Sequence, residues 1–400
     1  MRVRNIGKAG MRVICVVGAR PNFMKAAPVI EALRKQPEMS VMLVHTGQHY
    51  DRQMSELFFE ELGLPKPDLD LEVGSGSHGE QTGQIMIRIE PVLQREKPDL
   101  VIVFGDVNST VAAALCAAKL GIKVAHVEAG LRSFDRTMPE ELNRIMTDHL
   151  SDYLFTTEPS ARKNLLREGI AEEKIFFVGN VMVDTLLNHV EQARAYHFRE
   201  RLGLASRSYG LLTLHRPSNV DELGTLTTIL EAVHELGKQV PIVFPCHPRT
   251  RQQLDKTGLK YLATVNGPGD GSQQRPLIVM DPLGYVEFLS LMTDARIVLT
   301  DSGGIQEETT VLGIPCLTLR ENTERPVTIE QGTNVLVGTG QQRILAAAAK
   351  ALNGTCSGTR VPELWDGKAA ERIAKILQRH ILTRGEGISY SSNLGAEHFR

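Results

Sequence analysis

The stretch VVGARPNFMK, residues 16–25, places two cations shortly after an apolar run. Arg20 and Lys25 would reach the space beyond a strand that ends near Gly18, so the pattern favours a site for an anion. A glycine at a strand-to-helix turn can also serve only to give the backbone conformational freedom. The stretch by itself leaves both interpretations open.

A second anion site is indicated by LTDSGGIQEETTVLG, residues 299–313. Gly303 and Gly304 would let the backbone approach a ligand closely, and the helix that follows offers N–H groups at its positive dipole end. Asp301 and Ser302 could instead act as ordinary helix caps. The context favours the anion site, because further cations follow other apolar runs.

Polar residues follow most of the strand-like runs of this sequence. In open parallel sheets, ligands bind at the carboxyl ends of the strands, so these residues are candidates for a common site. A diphosphate held between two domains would satisfy the cations among them. The candidates beyond those already named are Gln48, His49, Asp106, Glu128, Arg132, His215, Arg216, His247 and Arg325.

Three carboxylates could supply acid and base groups, namely Asp106, Glu128 and Glu140. Glu128 interrupts the apolar run VAHVEAG, where a buried charge requires a partner or a role. Asp106 could instead cap a helix, and Glu140 could complement the dipole of a first helical turn. A metal held by His126 and Glu128 is a further alternative, although no third ligand has suitable spacing.

Short apolar runs alternate with helical patterns along the chain. Their continuous hydrophobicity is typical of buried parallel strands, and repeated strand–helix units predict an α/β fold with open sheets. The pattern restarts after a long polar helix around residues 186–203, which predicts two such domains that meet near residues 185–207. The predicted strands are RVICVV, VMLVH, DLVIVFGD, KVAHVE, YLFTT and KIFFVGN, then YGLLTLH, PIVFPCH, PLIVMDP, RIVLTDSGG, IPCLTL and NVLVG.

The composition limits the functions that are open to the protein. With 45 Lys and Arg against 47 Asp and Glu, the 400-residue chain has no charge excess that would attract nucleic acid or an anionic membrane. Apolar stretches fall short of the ~18 residues of a membrane span, and the basic start MRVRNIGKAG lacks the apolar region of a signal peptide. The five cysteines are far apart and mostly in apolar runs, which indicates reduced core thiols and a cytoplasmic protein.

Eight ordered motifs closely resemble those of the non-hydrolysing UDP-N-acetylglucosamine 2-epimerases. The resemblance implies a fold of the glycosyltransferase-B type, with Rossmann-like doubly wound domains at 11–185 and 207–365 and an interdomain cleft. It also implies a final helix near 367–382 that crosses back to the N-terminal domain, and a homodimer. The motifs are GARPNFMK, GQH, GDVNST, HVEAGLRS, MPEELNR, LHRPSN, DSGGIQEE and TERP.

The activity that the resemblance implies is the interconversion of UDP-GlcNAc and UDP-ManNAc. UDP leaves by anti elimination to give 2-acetamidoglucal, and after rotation it adds back to the opposite face. The C2 proton has no neighbouring carbonyl to acidify it, so departure of UDP from C1 must loosen it, and preorganised cations stabilise the leaving group. No cofactor or metal is expected, in agreement with the absence of a G-x-G-x-x-G fingerprint after the first strand.

The resemblance assigns roles residue by residue. It implies that Asp106, Glu128 and Glu140 are the catalytic acids, with His215 in the cleft beside them. The Glu308 carboxylate would accept hydrogen bonds from ribose hydroxyls. The expected substrate-binding residues are Arg20, Lys25, Gln48, His49, Arg132, Ser302, Gly303, Gly304, Glu308 and Arg325.

One departure from the family pattern and several rival functions stay open. Several bacterial members read QHREM and HRREN where this chain has QHYDRQM and HRPSN, and those residues hold a second, activating UDP-GlcNAc. Tyr50 replaces the first arginine, so activation by the substrate is not expected to work in the same way. The rivals are epimerisation of a UDP-2,3-diacetamido uronic acid, a UDP-sugar glycosyltransferase, a hydrolysing relative and a non-enzymatic nucleotide-sugar sensor.

Overall fold

The protein is described from a computed structural model, which covers residues 10–48, 61–246, 248–256, 264–265, 276–354 and 360–385. Within these ranges the chain forms two parallel sheets of seven strands each, with helices between consecutive strands. The first sheet contains β1 Met11–Val17, β2 Met39–His45, β3 Leu69–Asp70, β4 Leu100–Phe104, β5 Lys123–Ala129, β6 Tyr153–Thr156 and β7 Ile175–Phe177. The second contains β8 Gly210–Thr213, β9 Ile242–Pro245, β10 Thr264–Val265, β11 Leu277–Met280, β12 Ile297–Thr300, β13 Cys316–Thr318 and β14 Asn334–Leu336.

The strand orders confirm the prediction of two doubly wound α/β sheets. They are β3-β2-β1-β4-β5-β6-β7 and β10-β11-β9-β8-β12-β13-β14. Each predicted apolar run is a strand, because runs such as LVIVF in β4 are buried at every residue. The edge strands β3 and β10 have two residues each, too few for an apolar pattern to reveal them.

The helices of the described ranges cover both faces of each sheet. Along the first half of the chain they are α1 Arg20–Arg34, α2 His78–Glu96, α3 Asn108–Lys119, α4 Pro139–Leu150, α5 Pro159–Arg167, α6 Val181–Tyr196 and α7 Phe198–Arg201. They continue as α8 Pro217–Val220, α9 Leu223–Gly237, α10 Pro248–Lys256, α11 Tyr285–Thr293, α12 Gly303–Leu312, α13 Val327–Glu330, α14 Gln341–Leu352 and α15 Ala369–Gly385. One of the helical patterns of the sequence, MSELFFEELGL at residues 54–64, lies mostly outside the described residues.

The single long polar helix predicted around residues 186–203 is wrong, because the structure divides it. Helix α6 ends before His197, which adopts the left-handed conformation with φ 49° and ψ 38°, and α7 follows at once. A left-handed residue interrupts the ladder of backbone hydrogen bonds. The rings of Tyr196 and Phe198 stack on either side of the break, and the Arg201 guanidinium lies over both.

Strand register places the chemistry at one edge of each sheet. In the first sheet Val16 pairs with Val103, and Phe104 pairs with Val127. The turns after β1 and β4 and the last residues of β5 therefore lie level with one another. In the second sheet Thr300 pairs with both Thr213 and Thr318, so the segments after β8, β12 and β13 are likewise level.

The two halves of the chain share a hydrophobic core. Phe23 of α1, Leu186 of α6 and Leu289 of α11 belong to one buried cluster, which Ile373 and Leu377 of α15 complete. Helix α15 packs on α1 and α6 of the N-terminal half. The end of the described chain is thus tied to its beginning.

The expectation of core thiols is met at four positions. Cys15, Cys116, Cys246 and Cys316 are buried thiols. Burial raises the pKa of Cys15 and of Cys316 to about 12, so both stay protonated near neutral pH. Among the helices described, none is long and apolar enough to cross a membrane.

The start of α15 depends on one buried carboxylate of α6. Asp184, 3% exposed, accepts hydrogen bonds from the backbone N–H groups of Ala369 at 3.1 Å and Ala370 at 2.8 Å. These two N–H groups belong to the first turn of α15 and therefore have no partner within their own helix. The contact joins segments that are 185 residues apart in the chain.

We expect Asp184→Asn to lower the free energy of unfolding by about 1–3 kcal/mol, because the amide would turn an N–H toward a buried donor. Urea or thermal denaturation measures the effect. The control is Asp366→Asn near the start of the same helix, where the carboxylate is 46% exposed and the change is expected to stay within about 0.5 kcal/mol. Equal losses in the two variants would contradict the capping role.

Candidate active site

A buried ion pair lies at the carboxyl edge of the first sheet. The ammonium of Lys25, from α1, lies 2.7 Å from Oε1 of Glu128, from β5, and the side chains are 5% and 2% exposed. Gly105 makes room for the pair, because a Cβ at this position would lie 2.8 Å from the Lys25 Nζ. Gly105 also has φ +61°, which a side chain would strain.

Glu128 is held in an unusual backbone conformation. Its φ is 77°, and the register between β5 and β6 shifts between Val127 and Ala129. A non-glycine residue with positive φ is strained, and such residues cluster at functional sites. Because an irregularity of this kind re-aims a side chain, the Glu128 carboxylate lies at the sheet edge instead of in the core. Its Oε2 has no hydrogen-bond partner among the residues described.

Asp106 follows β4 and faces the same edge. The alternative that it caps helix α3 is wrong, because Val107 occupies the N-cap position. The carboxylate instead accepts a hydrogen bond from Nε of Arg144 at 3.2 Å, and the main-chain oxygen accepts one from Asn143 at 2.9 Å. Partial burial would raise the pKa of Asp106, but the charges of Arg144, Lys25 and Arg325 outweigh it and lower that pKa. Asp106 is therefore ionised at neutral pH.

Helix α4 carries several of the residues that surround Asp106. Glu140 and Glu141 stand in its first turn, as the alternative based on the helix dipole requires for Glu140. Glu141 is buried, and its carboxylate accepts hydrogen bonds from the backbone N–H groups of Ser133 and Phe134. Glu140 is partly exposed, so its carboxylate is the one of the two that can still receive a ligand.

The start of α12, where the sequence predicts an anion site, lies against the side chain of Arg325. Ser302 occupies the N-cap position, but its hydroxyl makes no capping hydrogen bond, so the alternative of an ordinary side-chain cap is wrong for this residue. A Cβ at Gly303 would clash with Nη1 of Arg325, so the glycine lets the guanidinium lie against the helix end. The positive dipole end and a cation therefore point to the same place.

Asp301 does not cap α12 either. It is fully buried and accepts hydrogen bonds from the backbone N–H groups of His215 and Arg216, and it lies 2.7 Å from Nδ1 of His215. The carboxylate thus holds the turn after β8 against β12. The imidazole of His215 is oriented by this contact while 55% of its side chain stays exposed, so its other nitrogen can meet a ligand.

Arg325 joins the two halves of the site. Its guanidinium lies 2.6 Å from Glu307, 3.3 Å from Glu324 and 3.5 Å from Glu128. Burial would raise the pKa of Glu324, but Arg320 and Arg325 together hold it well below its usual range. Burial together with the neighbouring Glu128 charge raises the pKa of Glu307 in spite of Arg325.

Glu308 lies one residue deeper along α12. It is 2% exposed, and its Oε1 accepts a hydrogen bond from the Tyr285 hydroxyl at 3.0 Å. Burial raises the pKa of Glu308 to about 8, and the nearby Glu307 adds to the effect. The side chain is thus held by α11 on the C-terminal side of the site.

Two of the predicted substrate-binding residues have side chains that are bonded to other groups of the protein. The Nη2 atom of Arg132 lies 2.7 Å from both Asp148 and Glu168, and the other guanidinium nitrogens are also bonded. Arg132 therefore has no nitrogen left for a ligand in this arrangement. Oε1 of Gln48 accepts hydrogen bonds from the N–H and hydroxyl of Ser109, which braces the start of α3. The positions that lie outside the description are His49, His247 and the side chain of Arg20.

The metal alternative at His126 and Glu128 has no support. Nδ1 of His126 lies 2.7 Å from Asp148, and Nε2 lies 2.7 Å from the main-chain oxygen of Gly105. Both ring nitrogens therefore already have partners within the protein. No group of three potential metal ligands occurs in the part of the chain that the structure describes.

The sequence did not single out Arg144, Glu307, Glu324 or Arg320. Arg144 is 2% exposed and contacts Asp106, Glu141 at 2.8 Å and Glu324 at 3.8 Å. Its signal in the sequence was its position one turn after Glu140 and Glu141, where a cation would meet their carboxylates. Glu307 and Glu324 are each next to a predicted residue in the sequence. Their spacing does not predict that both contact Arg325.

Comparisons with known proteins show which family the chain is similar to. The profile of the family described as UDP-N-acetylglucosamine 2-epimerase matches residues 31–378. The UDP-N-acetylglucosamine 2-epimerase of Methanocaldococcus jannaschii is 45% identical over 92% of this chain and 99% of its own. The UDP-2,3-diacetamido-2,3-dideoxy-D-glucuronate 2-epimerase of Pseudomonas aeruginosa is 43% identical over 92% of this chain and 100% of its own. A crystal structure of the M. jannaschii UDP-GlcNAc 2-epimerase in complex with UDP-GlcNAc and UDP has a TM-score of 0.83 at 45% identity, covering 92% of this chain and 100% of that chain.

Two seven-stranded parallel sheets with helices between their strands define an α/β protein of the glycosyltransferase-B type. Within this class the match extends over nearly the whole described chain. The chain belongs to the UDP-N-acetylglucosamine 2-epimerase family. The resemblance carried by the eight motifs is thereby confirmed.

We expect Gly303→Ala to weaken the binding of inorganic diphosphate by about 10–100-fold, because the new methyl group would displace the Arg325 guanidinium from the start of α12. Isothermal titration calorimetry measures the affinity. Gly224→Ala is the matched control, since Gly224 also lies in a first helical turn but its added Cβ would meet nothing within 4 Å. An unchanged affinity in Gly303→Ala would contradict the anion site.

Proposed function

We propose that the protein interconverts UDP-GlcNAc and UDP-ManNAc by eliminating UDP and adding it back. The observation that carries the proposal is the 3.5 Å contact between the carboxylate of Glu128 and the guanidinium of Arg325. A group that can move a proton thus lies beside a cation that can hold a departing phosphate. The 45% identical relative from M. jannaschii bears the name of this activity.

The C-terminal half would hold the leaving nucleotide. The N–H groups at the start of α12, from Gly303 and Gly304, and the Arg325 guanidinium suit the two phosphates. The Ser302 hydroxyl, which makes no capping bond, can donate to a phosphate oxygen. Glu308 would accept hydrogen bonds from the ribose hydroxyls. Arg20, Lys25 and His49 would add charge from the N-terminal half as the negative charge on UDP develops.

The carboxylates would move the proton at C2. As the bond between C1 and the phosphate oxygen breaks, its electron pair goes to UDP. The base takes the C2 proton, and the electron pair of that bond forms the C1–C2 double bond. On return an acid gives a proton to the other face of C2, and the UDP oxygen attacks C1. Asp106, Glu128 and Glu140 are the groups we propose for these transfers, with His215 beside the substrate.

Solvent isotope incorporation tests the proposal. During turnover of UDP-GlcNAc in D₂O, we expect deuterium at C2 of the epimerised product, because the abstracted proton exchanges before the sugar is protonated again. Mass spectrometry and proton NMR of the separated nucleotide sugars measure it. Protium retained at C2 in the epimerised product would overturn elimination and re-addition, and the absence of epimerisation of either candidate sugar would overturn the function.

We expect Asp106→Asn to lower kcat by about 100-fold or more while UDP still binds, because the amide cannot exchange a proton as a carboxylate does. Steady-state kinetics and calorimetry with UDP separate the two effects. Asp152→Asn is a matched control: Asp152 is 26% exposed and paired with Lys123, as Asp106 is 24% exposed and paired with Arg144. Loss of UDP binding together with activity would make Asp106 a structural residue.

A UDP-2,3-diacetamido uronic acid is the second candidate substrate. The relative from P. aeruginosa whose name carries this sugar is 43% identical, nearly as close as the M. jannaschii protein at 45%. The two sugars differ at C3 and C6, whereas the acids proposed here act at C2. Assays with both sugars in parallel decide between them, and the larger kcat/KM identifies the substrate.

We also propose that two copies of the chain associate, as the resemblance implies. Support comes from apolar side chains that remain exposed in the described chain on neighbouring helices, namely Ile87 of α2 and Leu142 and Met146 of α4. Both helices pack on α3. Burial of such side chains would favour association.

A further inference from the structure

A buried network of charged side chains joins β5 to α4 and is separate from the site proposed above. His126 and Asp148 are both fully buried, with 2.7 Å between Nδ1 and Oδ1. The other oxygen of Asp148 lies 2.7 Å from Nη2 of Arg132, which also contacts Glu168. Burial would raise the pKa of Asp148, but His126 and Arg132 lower it, so the carboxylate is ionised.

The network is bonded to the backbone at two points. Nε2 of His126 lies 2.7 Å from the main-chain oxygen of Gly105, and Oδ2 of Asp148 accepts a hydrogen bond from the N–H of Gly130 at 3.1 Å. Each ring nitrogen of His126 thus has one partner, Asp148 on one side and the backbone of Gly105 on the other. The two side chains therefore act on the backbone as one connected unit.

Each of these backbone points adjoins one of the proposed catalytic acids. Gly105 is the residue before Asp106, and Gly130 is the second residue after Glu128. Both glycines have positive φ, +61° and +79°. The N–H of Gly105 also donates to the oxygen of Val127 at 3.0 Å, so the turn after β4 is held against the end of β5 from two directions.

We infer that His126 and Asp148 are positioning residues that fix the Asp106 turn and the strained Glu128 segment in relative register. This inference rests on the function proposed above. The backbone of Glu128, with φ 77°, is strained and persists only where its surroundings hold it. Buried hydrogen bonds on both sides of the two acids supply that restraint. A shift of about 1 Å between acid and substrate can cost about 100-fold in rate.

Two substitutions of His126 separate its two hydrogen bonds. His126→Gln places an amide near the Nε2 position, where it can still donate to Gly105. His126→Asn places an amide near the Nδ1 position, where it can reach Asp148 but not Gly105. We expect kcat to fall about 100-fold in His126→Asn and less than about tenfold in His126→Gln. KM and the affinity for UDP should stay within about threefold in both, because the C-terminal half holds the nucleotide.

A second histidine pair supplies the matched control. His45 at the end of β2 is buried and lies 3.0 Å from Asp70. His45→Asn disturbs a histidine–aspartate pair whose carboxylate is 46% exposed, so we expect a smaller drop in thermal midpoint than in His126→Asn and a kcat within about threefold of the parent. A loss of kcat that merely follows thermal stability across the variants would then mark His126 as an ordinary core residue.

These experiments distinguish a failure of the positioning role from a failure of the proposed function. If the parent protein epimerises neither sugar, the function fails and the inference falls with it. If the parent is active and His126→Asn keeps kcat within about threefold, or if KM rises as much as kcat falls, the positioning role is overturned while the function stands. Should His126→Asn not fold, Asp148→Asn is tested in its place, with a kcat loss of about tenfold expected and an unchanged kcat contradicting it.

Discussion

The site depends on a chain of buried charges that crosses between the two sheets. Lys25 contacts Glu128, Glu128 contacts Arg325, and Arg325 contacts Glu307 and Glu324, all with side chains less than 10% exposed. Removing such charges from water is costly, and well-packed apolar side chains of equal volume are often at least as stabilising. The protein therefore gives up stability to hold cations and carboxylates together at fixed distances. A reaction in which negative charge leaves one atom while a proton leaves its neighbour requires such preorganised groups on both sides.

Backbone geometry sustains this arrangement as much as the side chains do. Glycines stand where charged groups must approach the chain closely, as Gly105 does beneath the Lys25 ammonium and Gly303 beside the Arg325 guanidinium. The direction of the Glu128 side chain depends on a strained backbone conformation with positive φ. The irregularity of β5 that accompanies this strain lies between two hydrogen-bonded segments. The carboxyl ends of parallel strands supply the common edge, since their register keeps the turns after β1 and β4 level.

The fold and most of the site were accessible from the sequence because they depend on local patterns. Continuous apolar runs identified the strands, apart from two edge strands of two residues. Charged residues within or after those runs identified Lys25, Asp106, Glu128 and Arg325 as candidates for one site. The helix caps that spacing had left open at Asp106, Asp301 and Ser302 required coordinates, because a cap depends on where one hydroxyl or carboxylate points. The break at His197 was not predicted either, because a polar helical pattern does not reveal a left-handed residue that is not glycine.

The sequence by itself determined which residue types stand at the strand ends, and through its ordered motifs the family to which the chain belongs. Only the tertiary structure decided which of those residues meet. Arg132 and Arg325 both follow strands. Arg132 is enclosed by Asp148 and Glu168, whereas Arg325 contacts Glu128, which is 197 residues away in the chain. Periodicity and spacing report the burial and direction of a side chain relative to its own element. The ionic partner of a side chain depends on how distant elements approach one another. The packing of the whole core determines that approach.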